Sequence, residues 1–434
     1  MWSERASPEQ LTKLVAALRA ALPGDSTRAQ TKQERGFACL NRGAGLEVFS
    51  KPLATVTYAD GRAAVCGPLG SVTLEGRGFD ILQAMLDAWQ DLSEAILAGF
   101  LSYDLAGELE DLGEAPRANF QFPGFHFGLY DSSAAHSGNP KAFTEQPLLA
   151  VANSHALASN PDRRSFETSV ERIVRTIHAG DIFQTNLCRS IEAAIEPGTE
   201  WDLFQRLRAI NPSRYEAFLQ IGHGQSILSV SPETFLKVDG GIVESRPIKG
   251  TRPRGRDTTA DASLSSELLD SEKDRAELAM IVDVVRNDLA RVCGAGSVEV
   301  VRHAELMSLP TVHHLFSTVR GKLRGDASIV DLLRAAFPAA SISGAPKIEA
   351  MRTAMREERQ PRGPCMGAIG WISMEGNMEL SVAIRTAFVT GGRVRYYAGC
   401  GITADSDPRA EFEESRHKAA AFVRALGKEQ DPNW

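Results

Sequence analysis

The chain has 434 residues, enough for about two or three domains or one large intertwined unit with a sizeable core. Hydrophobic residues make up 43% and charged residues 24%, which is typical of a globular protein and excludes a disordered tail, a fibrous repeat or a small disulfide scaffold. With 48 basic and 55 acidic residues, the net charge of -7 argues against a surface that binds nucleic acid.

The first predicted elements lie in the N-terminal part of the chain. Ser7 caps a predicted helix over Leu11–Leu18, and short β-prone runs alternate with Gly and Pro over Glu47–Leu74. Ile81–Ala98 has helical periodicity, and Gly99–Tyr103 has the pattern of a buried strand.

Loop-forming residues are concentrated in Ser132–Ser159, which we interpret as the junction between residues 1–150 and residues 160–427. After this junction, Phe166–Ile177 has helical spacing and Gly180 provides a C-terminal stop. The next strand-like runs are Ser226–Val238 and Ile242–Ile248.

Four acidic residues fall near the apolar faces of two predicted helices. The helices are Ser271–Val292 and Pro408–Leu426. Asp274 and Glu277 lie within or beside the apolar stripe of the first helix, and Glu411 and Glu414 border the stripe of the second. A carboxylate in such a position needs a partner or a cation. Spacing alone favours boundary acids that meet an arginine or water over a metal site, although two acids from each helix would suit Mg²⁺ better than Zn²⁺.

A basic run, SRPIKGTRPRG over Ser245–Gly255, places Lys249 in a turn after a β-prone segment. The cations in this run (Arg246, Arg252 and Arg254) are expected to lower the pKa of Lys249, and a free amine is a nucleophile. The alternative is a solvated basic loop, which the composition does not exclude.

Three weaker signals follow. Glu379–Val389 alternates apolar and polar residues, which predicts one strand with Arg385 on its polar face. Gly399 and Gly401 could offer backbone N–H groups to an anion, although such a pair is common in turns. His314 follows another histidine and is more typical of a packed pair than of a ligand.

Several segments together give a stronger signal, because they occur in the order in which one enzyme family carries them. They are GDIFQTNL (180–187), SVSPETF (229–235), RPIKGTRPRG (246–255), DRAELAMIVDVVRNDL (274–289), HHLFSTVRG (313–321), SISGAPKIEAM (341–351), GAIGW (367–371), VAIRTA (382–387) and AGCGITADSDP through EFEES (398–415). By these segments the chain resembles the chorismate-utilising enzymes. The resemblance implies an α+β fold of two large, mostly antiparallel β-sheets with flanking helices, in which residues 1–150 and 160–427 intertwine.

The resemblance also implies a Mg²⁺ site, which reverses the preference from spacing. Glu277 and Glu414 resemble the direct ligands of the family, and Asp274 and Glu411 resemble outer-shell acids that act through water. Chorismate is a dianion, so a cluster of acids can receive it only if a cation bridges them to its carboxylate.

Other residues resemble the substrate-binding groups of the family. Arg385 and the backbone around Gly399 and Gly401 are similar to its carboxylate-binding groups. His314 is similar to the histidine that flanks the substrate ring, and Thr251 to a residue that binds the substrate.

The resemblance assigns chemistry to three further positions. Glu233 resembles the general acid that protonates the departing C4 hydroxyl. Lys249 resembles the nucleophile of the branch that aminates chorismate at C4, where PIKGT replaces the PIAGT of anthranilate synthases. Gln184 stands where isochorismate and salicylate synthases carry a lysine that activates water, and a neutral glutamine cannot act as that base.

The expected function is therefore amination of chorismate at C4 with ammonia, for p-aminobenzoate and folate synthesis. Enzymes of this family usually draw ammonia from a glutamine amidotransferase, so a separate subunit of that kind is expected to supply it. The N-terminus lacks a secretory signal and no apolar run reaches the ~18 residues of a membrane span, so a cytoplasmic protein is expected. The alternatives are anthranilate synthase component I, an isochorismate or salicylate synthase, and a noncatalytic RNA-binding protein that uses the loop Arg246–Arg256.

Overall fold

The computed structural model describes residues 37–113, 121–134 and 157–431, apart from positions 44, 69 and 223, together with Ala16. Apart from Ala16, the predicted helix over Leu11–Leu18 lies outside the described residues, as does most of the predicted junction Ser132–Ser159. None of the helices in the described ranges is both long enough and apolar enough to cross a membrane.

The described residues form strands and helices that alternate along the chain. The strands are β1 (Phe37–Asn41), β2 (Leu46–Phe49), β3 (Ala54–Ala59), β4 (Arg62–Gly67), β5 (Gly70–Glu75), β6 (Ala95–Leu101), β7 (Phe125–Asp131), β8 (Ala158–Asn160), β9 (Gln184–Ala194), β10 (Tyr215–Gly222), β11 (Gln225–Ser231), β12 (Thr234–Asp239), β13 (Ile242–Arg246), β14 (Ile248–Pro253), β15 (Glu299–Ser308), β16 (Val312–Lys322), β17 (Gly344–Ala345), β18 (Ala368–Ser373), β19 (Met378–Val382), β20 (Thr386–Thr390) and β21 (Arg393–Ile402). The α-helices are α1 (Gly78–Trp89), α2 (Ala106–Leu109), α3 (Arg163–His178), α4 (Glu200–Ile210), α5 (Thr258–Asp270), α6 (Glu272–Ala290), α7 (Ile329–Ala336), α8 (Ala340–Ser343), α9 (Lys347–Glu358) and α10 (Pro408–Ala425), and the short 3₁₀ turns are Tyr103–Leu105 and Ser132–Ala134.

The strands pair into two antiparallel sheets. The first sheet, nine-stranded in the described part of the chain, has the order β17-β9-β21-β20-β11-β10-β1-β2, with β8 also paired to β9. The second sheet has twelve strands among the described residues, in the order β14-β16-β13-β12-β19-β18-β6-β7-β3-β4-β5, with β15 also paired to β16. Two large antiparallel sheets with flanking helices confirm the predicted fold class.

The core follows from the alternation of side chains along the strands. On β11, Ile227 belongs to the main apolar cluster, which residues of both sheets share, whereas Leu228 packs in a second cluster with residues of α4 and α10. Successive side chains of a strand point to opposite faces of the sheet, so both faces of the first sheet are covered. Helix α10 therefore packs against the outer face of the first sheet.

The helix predictions are confirmed in part. Helix α1 ends at Trp89, so the helix predicted over Ile81–Ala98 is too long, and β6 begins at Ala95. All residues of β6 are buried, and a fully buried strand has no polar alternation to distinguish it from a helix. Helix α3 confirms the prediction over Phe166–Ile177, and Gly180 follows it with φ of +87°.

The prediction of one strand over Ser226–Val238 is wrong. Strand β11 ends at Ser231 in the first sheet, and β12 begins at Thr234 in the second sheet. Pro232 lies between them, and because proline lacks a backbone N–H it cannot continue a ladder of hydrogen bonds. Glu233 consequently lies where the chain crosses from one sheet to the other.

The prediction of one strand over Glu379–Val389 is wrong for a related reason. Strand β19 ends at Val382 in the second sheet, and β20 begins at Thr386 in the first. Arg385 has φ of +50° between them, a left-handed conformation that interrupts a strand. The two crossovers are adjacent, because the N–H of Val382 donates to the carbonyl oxygen of Glu233 at 3.1 Å.

Candidate active site

The start of α6 is fixed against β14. The Ser271 hydroxyl accepts a hydrogen bond from the N–H of Asp274 at 3.2 Å, as a helix cap does. Gly250 has φ of +72°, and a Cβ at this position would lie 3.0 Å from the Cβ of Asp274. Arg252 Nη2 lies 3.3 Å from Asp274 Oδ2. The segment around Lys249 and the acidic turn of α6 therefore pack closely together.

Glu277 lies one turn further along α6 and is partly buried. Its Oε2 accepts a hydrogen bond from Gln184 Nε2 at 3.3 Å. Burial raises the pKa of Glu277, the positive charge of Lys249 opposes this effect, and the negative charge of Glu414 adds to it. Acids from two helices are therefore close enough to repel each other.

The start of α10 holds Glu411. Asp407 caps the helix by accepting from the N–H of Ala410 at 2.8 Å. The Ser406 hydroxyl donates to Glu411 Oε1 at 2.6 Å, whereas the buried Oε2 has no hydrogen-bond partner among the described residues. Burial raises the pKa of Glu411, and the charge of Glu414 contributes.

Glu414 forms an ion pair on the next turn of α10. Its Oε1 lies 2.7 Å from Lys418 Nζ, which also donates to the carbonyl oxygen of Gly399 at 2.9 Å. Partial desolvation raises the pKa of Glu414, but the charge and hydrogen bond of Lys418, together with the charges of Lys249 and Lys273, outweigh this effect and leave the pKa below its usual value. Sequence reasoning missed Lys418, although a glutamate and a lysine at i and i+4 are neighbours on a helix.

The acid cluster fits a hard divalent cation. Ligand atoms of Cys400, Glu411 and Glu414 lie within 4.8 Å of one another, and Glu277, which does not belong to this group, is coupled to Glu414 by charge. Carboxylate oxygens are the ligands that Mg²⁺ prefers, and the unpartnered Oε2 of Glu411 is an acceptor available to a cation or to its water. A cation here would offset the repulsion between the acids.

Lys249 points toward the glycines of β21. Strand β14 has a bulge between Lys249 and Thr251, which re-aims the side chain. A Cβ on Gly401 would lie 3.2 Å from Lys249 Nζ. Burial lowers the pKa of Lys249, and the charge of Glu277 opposes this effect. No side chain of the described residues forms a hydrogen bond or ion pair with Nζ.

The predicted direction of the Lys249 pKa is confirmed, but its predicted cause is wrong. The arginines of the basic run pair with carboxylates: Arg246 with Glu244 (2.8 Å), Arg252 with Glu267 (2.7 Å) and Arg254 with Asp261 (2.7 Å). Because these charges are matched, burial of the amine dominates its pKa.

Glu233 is a buried carboxyl close to Lys249. Its side chain is 3% exposed, and the Ser341 hydroxyl donates to its Oε1. Burial raises the pKa of Glu233 to about 7, although Ser341, the charge of Lys249 and the N–H of Ile248 act in the opposite direction. A carboxyl with this pKa carries its proton near neutral pH, as a general acid requires.

His314 is held by β14. Its Nδ1 lies 2.9 Å from the Thr251 hydroxyl and 3.3 Å from the carbonyl oxygen of Gly250, and its buried Nε2 has no partner among the described residues. Burial lowers its pKa to about 4, and the charge of Arg385 contributes. The ring is therefore neutral, and Nε2 is available to a bound molecule.

Arg385 is a partly buried cation without a carboxylate partner in the described part of the chain. Its Nη1 donates to Asn211 Oδ1 at 3.2 Å, a contact that sequence reasoning did not anticipate. Burial lowers the pKa of Arg385. Such a guanidinium suits a ligand carboxylate.

Comparison with known proteins identifies the family of this chain. The chain matches the family described as chorismate binding enzyme over residues 30–424. The chain belongs to this family. It is 34% identical over 408 residues to aminodeoxychorismate synthase component 1 of Salmonella typhimurium, with 87% of this chain and 89% of the relative covered. Anthranilate synthase component 1 of Streptomyces coelicolor is 41% identical over 291 residues, with 66% and 57% covered.

A solved structure agrees as well. The crystal structure of anthranilate synthase component I from Streptococcus pneumoniae superimposes with a TM-score of 0.74 at 27% identity, with 96% of this chain and 98% of that chain covered. This chorismate-binding enzyme is therefore an aminodeoxychorismate or anthranilate synthase component I. The alternative of a noncatalytic RNA-binding protein is wrong.

Gly401 provides a test of the geometry of this chorismate-binding enzyme. A Cβ at this position would lie 2.5 Å from Gln184 Nε2 and 3.2 Å from Lys249 Nζ, so one of these side chains would have to move. We expect Gly401→Ala to reduce kcat/KM for chorismate by about a hundredfold, because small displacements of reacting groups have large effects on rate.

The matched control for Gly401 is Gly325→Ala. Nothing lies within 4 Å of a Cβ at Gly325, and its φ is compatible with alanine. Steady-state kinetics and thermal unfolding of both variants check the prediction. A normal kcat/KM in Gly401→Ala would contradict the assignment of β21 to the substrate site.

Proposed function

We propose that this chorismate-binding enzyme aminates chorismate at C4 with ammonia and releases 4-amino-4-deoxychorismate for p-aminobenzoate and folate synthesis. The observation that supports the proposal most is the environment of Lys249. Its amine is buried beside Gly401, its pKa is lowered by burial, and the acid Glu233 is close enough for their charges to interact. A lysine with these properties can act as a nucleophile, and Glu233 is the nearby acid.

The charges of the site suit a small dianion. Arg385 offers a guanidinium with no carboxylate partner among the described residues, and the absence of a side chain at Gly399 and Gly401 lets Asn186 and Gln184 approach the backbone of β21 closely. Glu277 and Glu414 would hold Mg²⁺ directly, and Asp274 and Glu411 would hold it through water. Bound Mg²⁺ supplies the positive charge that lets an acidic cluster accept the ring carboxylate.

The remaining residues bind and orient the substrate. His314, held by Thr251, presents its unpartnered Nε2 beside the ring. Burial excludes water around Glu233, which keeps its proton for the leaving group.

The reaction follows in two displacements. The free amine of Lys249 attacks C2, the ring double bonds shift, and the C4–O bond breaks as Glu233 gives its proton to the hydroxyl, which leaves as water. Ammonia then attacks C4, the double bonds shift back, and the bond from C2 to Lys249 breaks. The amine of Lys249 is regenerated and a proton returns to Glu233.

Gln184 supports ammonia over water as the second nucleophile. Its amide donates to Glu277 and is neutral, so it cannot take a proton from water. This residue disfavours an isochorismate or salicylate synthase.

Anthranilate synthase component I is the second candidate, and the identity to the Streptomyces coelicolor protein favours it. Both activities begin with amination of chorismate, and only the anthranilate route eliminates pyruvate. The nucleophilic position of Lys249 favours release of 4-amino-4-deoxychorismate.

The ammonia source is proposed to be a separate glutamine amidotransferase subunit. The relatives named component 1 support a two-component enzyme. Turnover with glutamine by this chain alone would contradict the proposal.

Product identification tests the function. The purified chain is incubated with chorismate, Mg²⁺ and ammonium, and the products are separated by chromatography and identified by mass. We expect Mg²⁺-dependent formation of 4-amino-4-deoxychorismate, which an added lyase converts to p-aminobenzoate. Anthranilate without an added lyase would favour the second candidate, and isochorismate would contradict both.

A further inference from the structure

The carboxyl of Glu233 is held by two donors from different elements. The Ser341 hydroxyl, on α8, donates to Oε1, and the N–H of Ile248, on β14, donates to the same carboxyl. Ser341 is 8% exposed and Glu233 is 3% exposed, so water does not compete for these bonds. The carboxyl therefore cannot rotate freely.

Hydrogen bonds and an ion pair connect the segment that carries Ser341 to α6. Lys347 Nζ donates to the carbonyl oxygens of Ala336 and Pro338, both at 2.9 Å, on the chain just before α8. The same amine pairs with Asp288 Oδ2 at 2.6 Å, near the end of α6. Three bonds on one partly buried ammonium fix this segment relative to the helix that carries Glu277.

We infer that Ser341 is a positioning residue, which aims the proton of Glu233 at the departing hydroxyl; the inference rests on the proposed role of Glu233 as the acid. A hydroxyl is both donor and acceptor, so Ser341 can stay bonded to the protonated carboxyl and to the carboxylate left after proton transfer. The proton leaves Glu233 without loss of the contact that orients it.

The charges around Glu233 fix the direction of a pH effect. Lys249 and the N–H of Ile248, on β14, and Ser341, on α8, lower its pKa, whereas burial raises it. Loss of the Ser341 hydroxyl removes a donor to the carboxylate, so the pKa of Glu233 rises. A general acid acts below its pKa, so the alkaline limb of the kcat/KM profile should move to higher pH.

The test compares two serines of the same short helix. In Ser341→Ala we expect kcat to fall at least about tenfold and the alkaline limb to move up by about one pH unit. Ser341→Thr, which keeps a hydroxyl, should restore both. Ser343→Ala is the matched control, because within the described part of the chain the Ser343 hydroxyl donates only to the carbonyl oxygens of Ala339 and Ala340, and this variant should keep the wild-type profile.

A second measurement does not depend on turnover. The carboxyl stretching band of Glu233, assigned by its loss in Glu233→Gln, is titrated by infrared spectroscopy in the resting enzyme, and its midpoint should rise in Ser341→Ala. An unchanged profile and an unchanged midpoint in the folded variant would overturn the inference, as would equal changes in Ser343→Ala. If the wild-type chain does not aminate chorismate, the proposed function fails, and the infrared titration still decides whether Ser341 controls Glu233.

Discussion

Glu414→Gln is expected to weaken Mg²⁺ binding by about a hundredfold or more and to reduce chorismate turnover to a similar extent at a fixed Mg²⁺ concentration. An amide oxygen carries no net charge, so the cation loses a charged ligand. The substitution also leaves Lys418 without its partner, and its ammonium, 2.7 Å from Glu414 in the wild-type chain, would then repel the cation. Calorimetric titration with Mg²⁺ and turnover at varied Mg²⁺ concentration measure the two effects.

The adjacent residue provides the control. Glu413, on the same helix, pairs with Arg163 and Arg416, both at 3.0 Å. Glu413→Gln should keep normal Mg²⁺ binding and change the free energy of unfolding by no more than about 0.5 kcal/mol. Glu277→Gln, on the other helix, should behave as Glu414→Gln does. Normal Mg²⁺ dependence in Glu414→Gln would show that the metal assignment is wrong.

The two acidic helices could be predicted because their signals are local. Capping residues and a 3.6-residue apolar period lie within each segment, so the sequence predicts α6 and α10 closely and places Glu277 and Glu411 at the edge of an apolar face. Spacing within one helix does not reveal which acids of a second helix approach it. The resemblance to a family, and then the structure, provided that information.

The positions of Glu233 and Arg385 could not be predicted from periodicity. Each lies where an apparently continuous strand crosses from one sheet to the other, and an alternating pattern continues through the crossover. Pro232 was a local signal of the first interruption. The second interruption depends on the left-handed backbone conformation of Arg385, and an arginine in the sequence does not predict that conformation.

The environment of Lys249 shows a third limit of sequence reasoning. Its nearest charged neighbours along the chain are arginines, but its neighbours in space include Glu277, Glu233 and Lys418. Side chains on consecutive residues of a strand face opposite ways, so proximity in sequence does not imply an electrostatic contact. For the same reason Ser341, far from Glu233 in sequence, was not anticipated.

Lys249→Ala is expected to lower the rate of amination by roughly two orders of magnitude at low ammonia, because ammonia must then attack chorismate without the covalent intermediate. High ammonium should recover part of the rate, since direct attack remains open. Wild-type protein incubated with chorismate and Mg²⁺ but no ammonia should carry an adduct on Lys249 with the mass of chorismate less one water. Peptide mass spectrometry locates the adduct, and kinetics over a range of ammonium concentrations measure the rate.

Lys237→Ala provides the comparison for Lys249, because Lys237 lies on β12 of the same sheet, outside the set of residues assigned to the site. It should retain the wild-type rate and form the adduct. A Lys249→Ala rate equal to that of the wild-type chain at every ammonium concentration would remove the covalent role. If Lys249 acted by its charge alone, Lys249→Arg, which keeps a cation, would be active and Lys249→Ala would not. The covalent route requires instead that Lys249→Arg be as impaired as Lys249→Ala, because a guanidinium remains protonated and cannot attack C2.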